Sequence, residues 1–247
     1  MNKKTIIIII IDILVIIGLG VTIKLGSDYK KEAKIRSEVN SISHFFQDNT
    51  ELSSLNEILD RRIISGGQYE RIEDVTKVYY KDLYNSLSNL KFLLDEDNFI
   101  NYLSAKNIKD DGPKFLKSHD NLKNSKAQIE EQYTLFNNLL NDDFTRSKYL
   151  EGRNIDIYYR NFYLELTTLV VSAEDQEAVK REYESALKKI EIYNQAFDFL
   201  AAHESSWTIN NEVIAIEDAG LREEYNNIIK QLNTETERTV KDEVSTN

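Results

Sequence analysis

The sequence predicts a mainly α protein: an N-terminal transmembrane helix, then an elongated antiparallel helical bundle, with a small β-hairpin and a helix near the C-terminus. Three observations carry this. The 247 residues include 8 Gly and 1 Pro, where average usage would give roughly 17 and 12. So few turn formers disfavour sandwiches, propellers and Pro-rich linkers. Apolar residues recur at three- and four-residue steps through most of the chain, the period of a helix with one buried face. Residues 5–23, TIIIIIIDILVIIGLGVTI, form an almost unbroken apolar run.

That run is long enough to cross a bilayer as a helix. Its fourteen Ile, Leu and Val residues are worth about −4 to −8 kcal/mol on an insertion scale, against about +2.5 to +3.5 for one central Asp. Insertion therefore survives Asp12. Residues 1–4 become a short tail and 5–25 a signal-anchor helix in contact with the lipid bilayer. A cleavable signal peptide cut near Gly20, at Gly18-Leu19-Gly20, is the competing reading and would release a secreted body. Against it, no polar segment precedes that site, and Val21, Ile23 and Leu25 prolong the apolar run. Without Cys there is no lipoprotein acylation site, no disulfide framework and no thiolate metal site.

Sidedness follows from two opposed arguments. Counting charges, Lys3 and Lys4 lead the span while Lys24, Lys30, Lys31, Lys34 and Arg36 trail it, which favours a cytoplasmic body. A short basic tail entering directly on an apolar run is how export signals begin, and long domains translocate largely regardless of charge. The expectation is an extracytoplasmic body.

Asp12 lies near the middle of the span, where an ionised carboxylate is costly unless protonated, hydrated or paired. Gly18 and Thr22, four residues apart, give a small-residue face. These three are the candidate contacts with a partner helix. The plainer reading is an apolar anchor that tolerates one acid.

Residues 26–203 read as the α-helical body. Ile35, Val39, Ile42, Phe45 and Phe46 share one face of a first helix, breaking near Asp48-Asn49-Thr50. A second, about 51–64, carries Leu52, Leu55, Ile58, Leu59 and Ile63 and stops at Gly66-Gly67. From Gln68 to Leu94 a long stripe runs through Ile72, Val75, Val78, Tyr79, Leu83, Leu87, Leu90 and Leu94. After an irregular stretch, Pro113 is placed in the first turn of a helix carrying Leu116, Leu122, Ile129, Tyr133, Phe136 and Leu140. One more helix is expected through Tyr149, Tyr159, Phe162 and Leu166. Ser172 to Asp175 resembles a capping box, opening a helix of about thirty residues or roughly 45 Å through Val179, Leu187, Ile190, Phe197 and Leu200.

Residues 204–233 form the C-terminal element. Ser205–Ile209 and Val213–Glu217 flank Asn210-Asn211-Glu212 as a hairpin, which is marginal alone and must lean on a helix. The following helix offers Leu221, Tyr225, Ile228, Ile229 and Leu232 for that purpose. Trp207 is the candidate hairpin anchor or partner contact. Residues 234–247, almost without apolar side chains, are expected to be a disordered acidic tail.

Charge divides the chain unevenly. Residues 1–36 hold seven Lys or Arg against three Asp or Glu; residues 37–247 hold 24 against 39, a net of −15. An acidic body with no basic stripe excludes nucleic acid as a partner. The basic cluster Lys24, Lys30, Lys31, Lys34 and Arg36 faces either headgroups or water.

Catalytic and metal patterns are missing from the sequence. His203-Glu204 begins H-E-x-x-H, but residue 207 is Trp, and no Glu stands three residues before any of His44, His119 or His203. Asp95, Glu96 and Asp97, or Asp142 and Asp143, lack the spacing of a calcium loop. The eight glycines are not spaced for phosphate, so no cofactor is expected. Tyr79, Tyr80 and Tyr84, with Tyr158, Tyr159 and Tyr163, read as core packing before they read as a binding strip.

The function expected is that of a non-catalytic envelope interaction or scaffold protein, bound to another protein or to itself. The alternative is an exported or tethered ligand-binding or sensory module with a pocket between helices. A filled interior separates the first from the second.

Overall fold

The computed structural model describes residues 27–42, 52–168 and 171–245. The expected span at 5–25, with Asp12, Gly18 and Thr22, lies outside them, as do Phe45 and Phe46. Among the described residues no helix is long and apolar enough to cross a membrane. The described chain is mainly helical, with nine α-helices and one two-stranded antiparallel sheet near the C-terminus.

The chain forms two compact units, the first from the described residues of Met1–Tyr84 and Asn141–Val170, the second from Asn85–Leu140 and Val171–Asn247. The hairpin and the last helix belong with the second unit.

In the first unit, α1 (27–42) buries Ile35, Val39 and Ile42. Helix α2 (Leu52–Asp60) ends well before the glycine pair expected to stop it. The reason lies in the next segment: the Glu73 carboxylate accepts the amides of Ile63 at 2.8 Å and Ile64 at 2.7 Å. Those amides gain an acceptor outside any helix. Helix α3 (Gly67–Leu94), whose residues from Asn85 onward belong to the second unit, buries Ile72, Val75 and Leu83 of the predicted stripe fully, whereas Val78 is exposed.

The single helix expected across 149–169 is two. Helix α6 (Asp142–Leu150) is capped by Asn141, whose Oδ1 accepts the Phe144 amide at 3.0 Å. Helix α7 (Ile157–Thr167) begins after a break at Gly152, whose φ of +72° a helix cannot hold.

In the second unit, Glu96–Asn98 is a short 3₁₀ turn and α4 (Ala105–Asp111) is capped by Ser104. Pro113 lies in the turn before α5 (Leu116–Leu139) and not in its first turn. The Asp111 carboxylate opens that helix instead, accepting the amides of Lys117 at 3.1 Å and Ser118 at 2.7 Å. The entering Phe115 takes φ +51° with its ring wholly buried.

Helix α8 (Ala173–Ala202) starts where the capping signal placed it, Ser172 Oγ accepting the Asp175 amide at 3.0 Å. It runs antiparallel to α5: Tyr133 stacks on Tyr183 with ring centroids 3.8 Å apart, while His119 meets Asn194 further along. Strands β1 (Trp207–Asn210) and β2 (Val213–Ile216) pair in the register Trp207 to Ile216 and Asn210 to Val213. Helix α9 (Ala219–Ser245) carries Leu221, Tyr225, Ile228, Ile229 and Leu232 against the core of this unit. The backbone of α9 continues to Ser245, so the expected disordered tail is helical as far as that residue. Its Glu, Lys and Arg are good helix formers and continue a helix that packing has already nucleated.

Candidate functional site

Trp207 is the candidate site residue within the described structure. It is half-buried, and its indole Nε1–H donates to the Leu200 carbonyl at 2.8 Å, which caps the exposed end of α8. Its ring lies 6.4 Å from that of Phe115, which stacks on Phe197 at 4.9 Å. Trp207 and Ile209 share the face turned to the core, joined by Ile214 and the buried Ile216. The hairpin thus closes one end of a packed aromatic cluster. Phe199 lies 5.7 Å from Tyr225 across α8 and α9, and burial pushes the Tyr225 phenol up to about 12.

The first unit holds a constellation that sequence reasoning missed. Glu38 and Glu73 are buried acids, and Lys77 is a buried base. Lys77 Nζ lies 2.8 Å from Glu73 Oε1 and 3.2 Å from Glu38 Oε1, and it also donates to the Arg61 carbonyl. Arg61 binds Glu38 through two nitrogens, its Nε at 2.8 Å. Burial alone would raise the Glu38 carboxyl, but the Arg61 and Lys77 contacts outweigh it and hold the group below its usual value. Arg62 pairs with Glu70 and Asp74 at the rim of a solvent-open hollow of about 320 Å³ that Val78 and Lys81 also line. The only trace in sequence is Glu73 and Lys77 at i, i+4 beside the apolar stripe; Glu38 and Arg61 arrive from other elements.

The tyrosines pack. Tyr79 and Tyr80 are buried, the latter donating to the Leu166 carbonyl at 2.7 Å. Tyr149 donates to Asp82 at 2.7 Å, and its phenol is raised by burial first and then by that carboxylate. Tyr84 and Tyr159 are half-buried, Tyr163 is buried and Tyr158 is exposed. The one continuous exposed strip that the sequence allowed is therefore not formed by these residues.

The described histidines are engaged. His119 Nδ1 lies 2.7 Å from Asn194 Oδ1, and its Nε2 lies 3.4 Å from Asp198. His203 closes the C-terminus of α8 beside Phe199. Asp142 and Asp143 sit in the first turn of α6, where the positive helix end favours them. Among the described residues no cluster of three or more His, Asp or Glu could hold a metal ion.

No protein-family model matches this chain, and neither the curated proteins nor the solved structures contain a match.

Proposed function

We propose that this is a single-span membrane protein, anchored by a helix at residues 5–25, whose helical body binds another envelope protein or a second copy of itself and is not an enzyme. The body is extracytoplasmic in this reading. The observation that carries it is the filled interior of the second unit, where Leu122, Ile129, Phe115 and Phe197 are fully buried against one another's helices. A module that takes a ligand between its helices needs that space empty. The titratable groups support the same reading: Glu38 and Glu73 are neutralised by Lys77 and Arg61, Glu73 ties down two backbone amides, and His119 is held by Asn194 and Asp198.

The ligand-binding alternative has one foothold, a solvent-open hollow of about 470 Å³ lined by polar groups that include Asn101, Asn107 and Asp110. Its walls are already used, since Asn107 Nδ2 donates to the Tyr102 carbonyl at 2.7 Å and to Ser118 Oγ at 3.0 Å.

The test is protease treatment of intact cells carrying the full-length chain, with an alkaline carbonate wash of the same membranes. The expected result is a body digested from outside and an anchor that stays with the pellet. Digestion only after lysis refutes export, and release into the wash refutes the anchor. Cross-linking then reads association, which Asp12→Leu weakens if that carboxylate meets a partner helix.

A further inference from the structure

The first unit exposes three large apolar side chains on α1 and α7, two helices joined by a hydrogen bond between them. Tyr29 is 74% exposed, Ile157 72% and Tyr158 56%. Tyr29 lies near the beginning of the described part of α1, and Ile157 and Tyr158 lie in the first turn of α7. The fold fastens this part of α1 to α7. The Tyr158 hydroxyl donates to Glu32, one helical turn beyond Tyr29, and the Tyr69 hydroxyl donates to the same carboxylate at 2.8 Å. Tyr159 stands edge-on to both Tyr69, at 4.8 Å, and Tyr158, at 5.2 Å. Exposed apolar residues are ordinary when single; a cluster of them on one end of a folded unit calls for a neighbour.

The chain itself points to the neighbour. Leu25 closes the apolar segment, and Tyr29 follows four residues later, so even full extension keeps the two Cα atoms within about 15 Å. The headgroup region reaches roughly 5–8 Å beyond the hydrocarbon on each side. Tyr, with an apolar ring and a polar tip, is a residue of that layer. Lys30 and Lys34 are exposed on α1 at i, i+4, and the Lys31 ammonium lies 5.7 Å above the Tyr69 ring. The acids in the same region are Asp28, Glu32 and Asp156, and Glu32 is engaged by two phenols. With residues 37–247 at a net −15, an anionic surface selects the basic end of the chain and repels the acidic remainder.

We infer that α1 around Tyr29 and the start of α7 form a lipid-facing foot, seating Tyr29, Ile157 and Tyr158 in the headgroup layer with Lys30 and Lys34 against anionic lipid. The inference rests on the anchor at residues 5–25. It adds a second, discontinuous membrane contact 130 residues away in sequence, which fixes how the first unit meets the bilayer.

The chain has no cysteine, so Ile157→Cys and, as a control, Val78→Cys each give a unique nitroxide site on an exposed residue. The full-length proteins are reconstituted in phosphatidylcholine vesicles with and without phosphatidylglycerol. Power saturation then reads collisions with oxygen, enriched in lipid, and with a water-soluble nickel chelate. The foot predicts a several-fold lower chelate collision rate and a higher oxygen rate at 157 than at 78, with the contrast greatest on anionic vesicles. Charge reversal at Lys30→Glu with Lys34→Glu should then return chelate access at 157 on those vesicles. If the protein floats with the vesicles yet 157 is as wet as 78, the foot is refuted and the anchor stands. A label shielded from both reagents means a protein covers the patch, which also refutes it. Failure to float with vesicles refutes the anchor and the foot together.

Discussion

Lys77 and Glu73 face each other one helical turn apart inside the first unit, Nζ 2.8 Å from Oε1, with 8% and 2% of their surfaces left to water. Neither charge is tolerable there alone. Lys77 also neutralises Glu38, and Glu73 holds the amides of Ile63 and Ile64, so the pair joins α1, α3 and the segment after α2. Lys77→Met leaves Glu73 buried without its ammonium partner, and breaking a buried pair in this way costs about 3–5 kcal/mol. Adding Glu73→Gln to that variant removes the uncompensated charge and should recover part of the loss. Urea unfolding followed by far-UV circular dichroism reads both, and a double variant no more stable than Lys77→Met would contradict this account.

Acid should act on the same network. Glu38 is pulled up by burial but more strongly down by Arg61 and Lys77, so its folded value lies below the ordinary 4.5. A carboxyl lowered on folding contributes stability that is complete above its unfolded value and is lost as pH falls through the folded one. Asp111 behaves alike, held below 3.8 against burial by the amides of Ser118 and Lys117. The urea midpoint should therefore hold down to about pH 5 and fall below it. Glu38→Gln should lower the midpoint at neutral pH and flatten the acid decline; an unchanged slope would remove Glu38 from the explanation.

What the sequence made legible was whatever depends on neighbours in the chain. The stripe of α8, its Ser172 cap and the hairpin around Asn211 are all local patterns, and each is found within a residue or two of its predicted place. The break between α6 and α7 was hidden because the apolar steps continue across it, while the backbone leaves the helix at the extended Glu151 and the positive φ of Gly152. Helix α2 ended early because a carboxylate ten residues away claimed the amides that follow it. The buried ionic network escaped for the same reason: four residues from α1, the segment after α2 and α3 meet in space, and no spacing rule connects positions 38, 61, 73 and 77. Trp207 stood out in the sequence because a lone indole in a marginal hairpin needs a core and an acceptor or else a partner.

The turn of that hairpin carries avoidable strain. Asn211 and Glu212 both have positive φ, 50° and 63°, the geometry of a two-residue type I′ connection, where Asn-Gly is the favoured pair. Asn suits its position; Glu, with a Cβ crowding its carbonyl, does not. Glu212→Gly should stabilise the protein by about 0.5–1 kcal/mol after allowing for the greater freedom glycine gives the unfolded chain. A rise in Tm of about 1–4 °C is the matching shift for a domain of 150–250 residues. A fall in Tm would mean that the turn is held by contacts other than its own backbone preference.

Substitution at Trp207 separates its two roles. As an anchor, its value lies in the Nε1–H bond to Leu200 and in the ring set against Phe115. Trp207→Phe keeps a ring and forfeits the hydrogen bond, leaving a helix-end carbonyl unsatisfied at a cost of about 1–2 kcal/mol. Trp207→Ala loses the ring as well and should cost about 3 kcal/mol, the lower end for an aromatic because the site is only half-buried. Self-association or capture of a partner by the Phe variant should be unchanged at a temperature where it is folded. The opposite pattern, a Tm equal to that of the parent with association lost, would make Trp207 a surface used between molecules, and the hairpin a presenting arm instead of a lid on its own core.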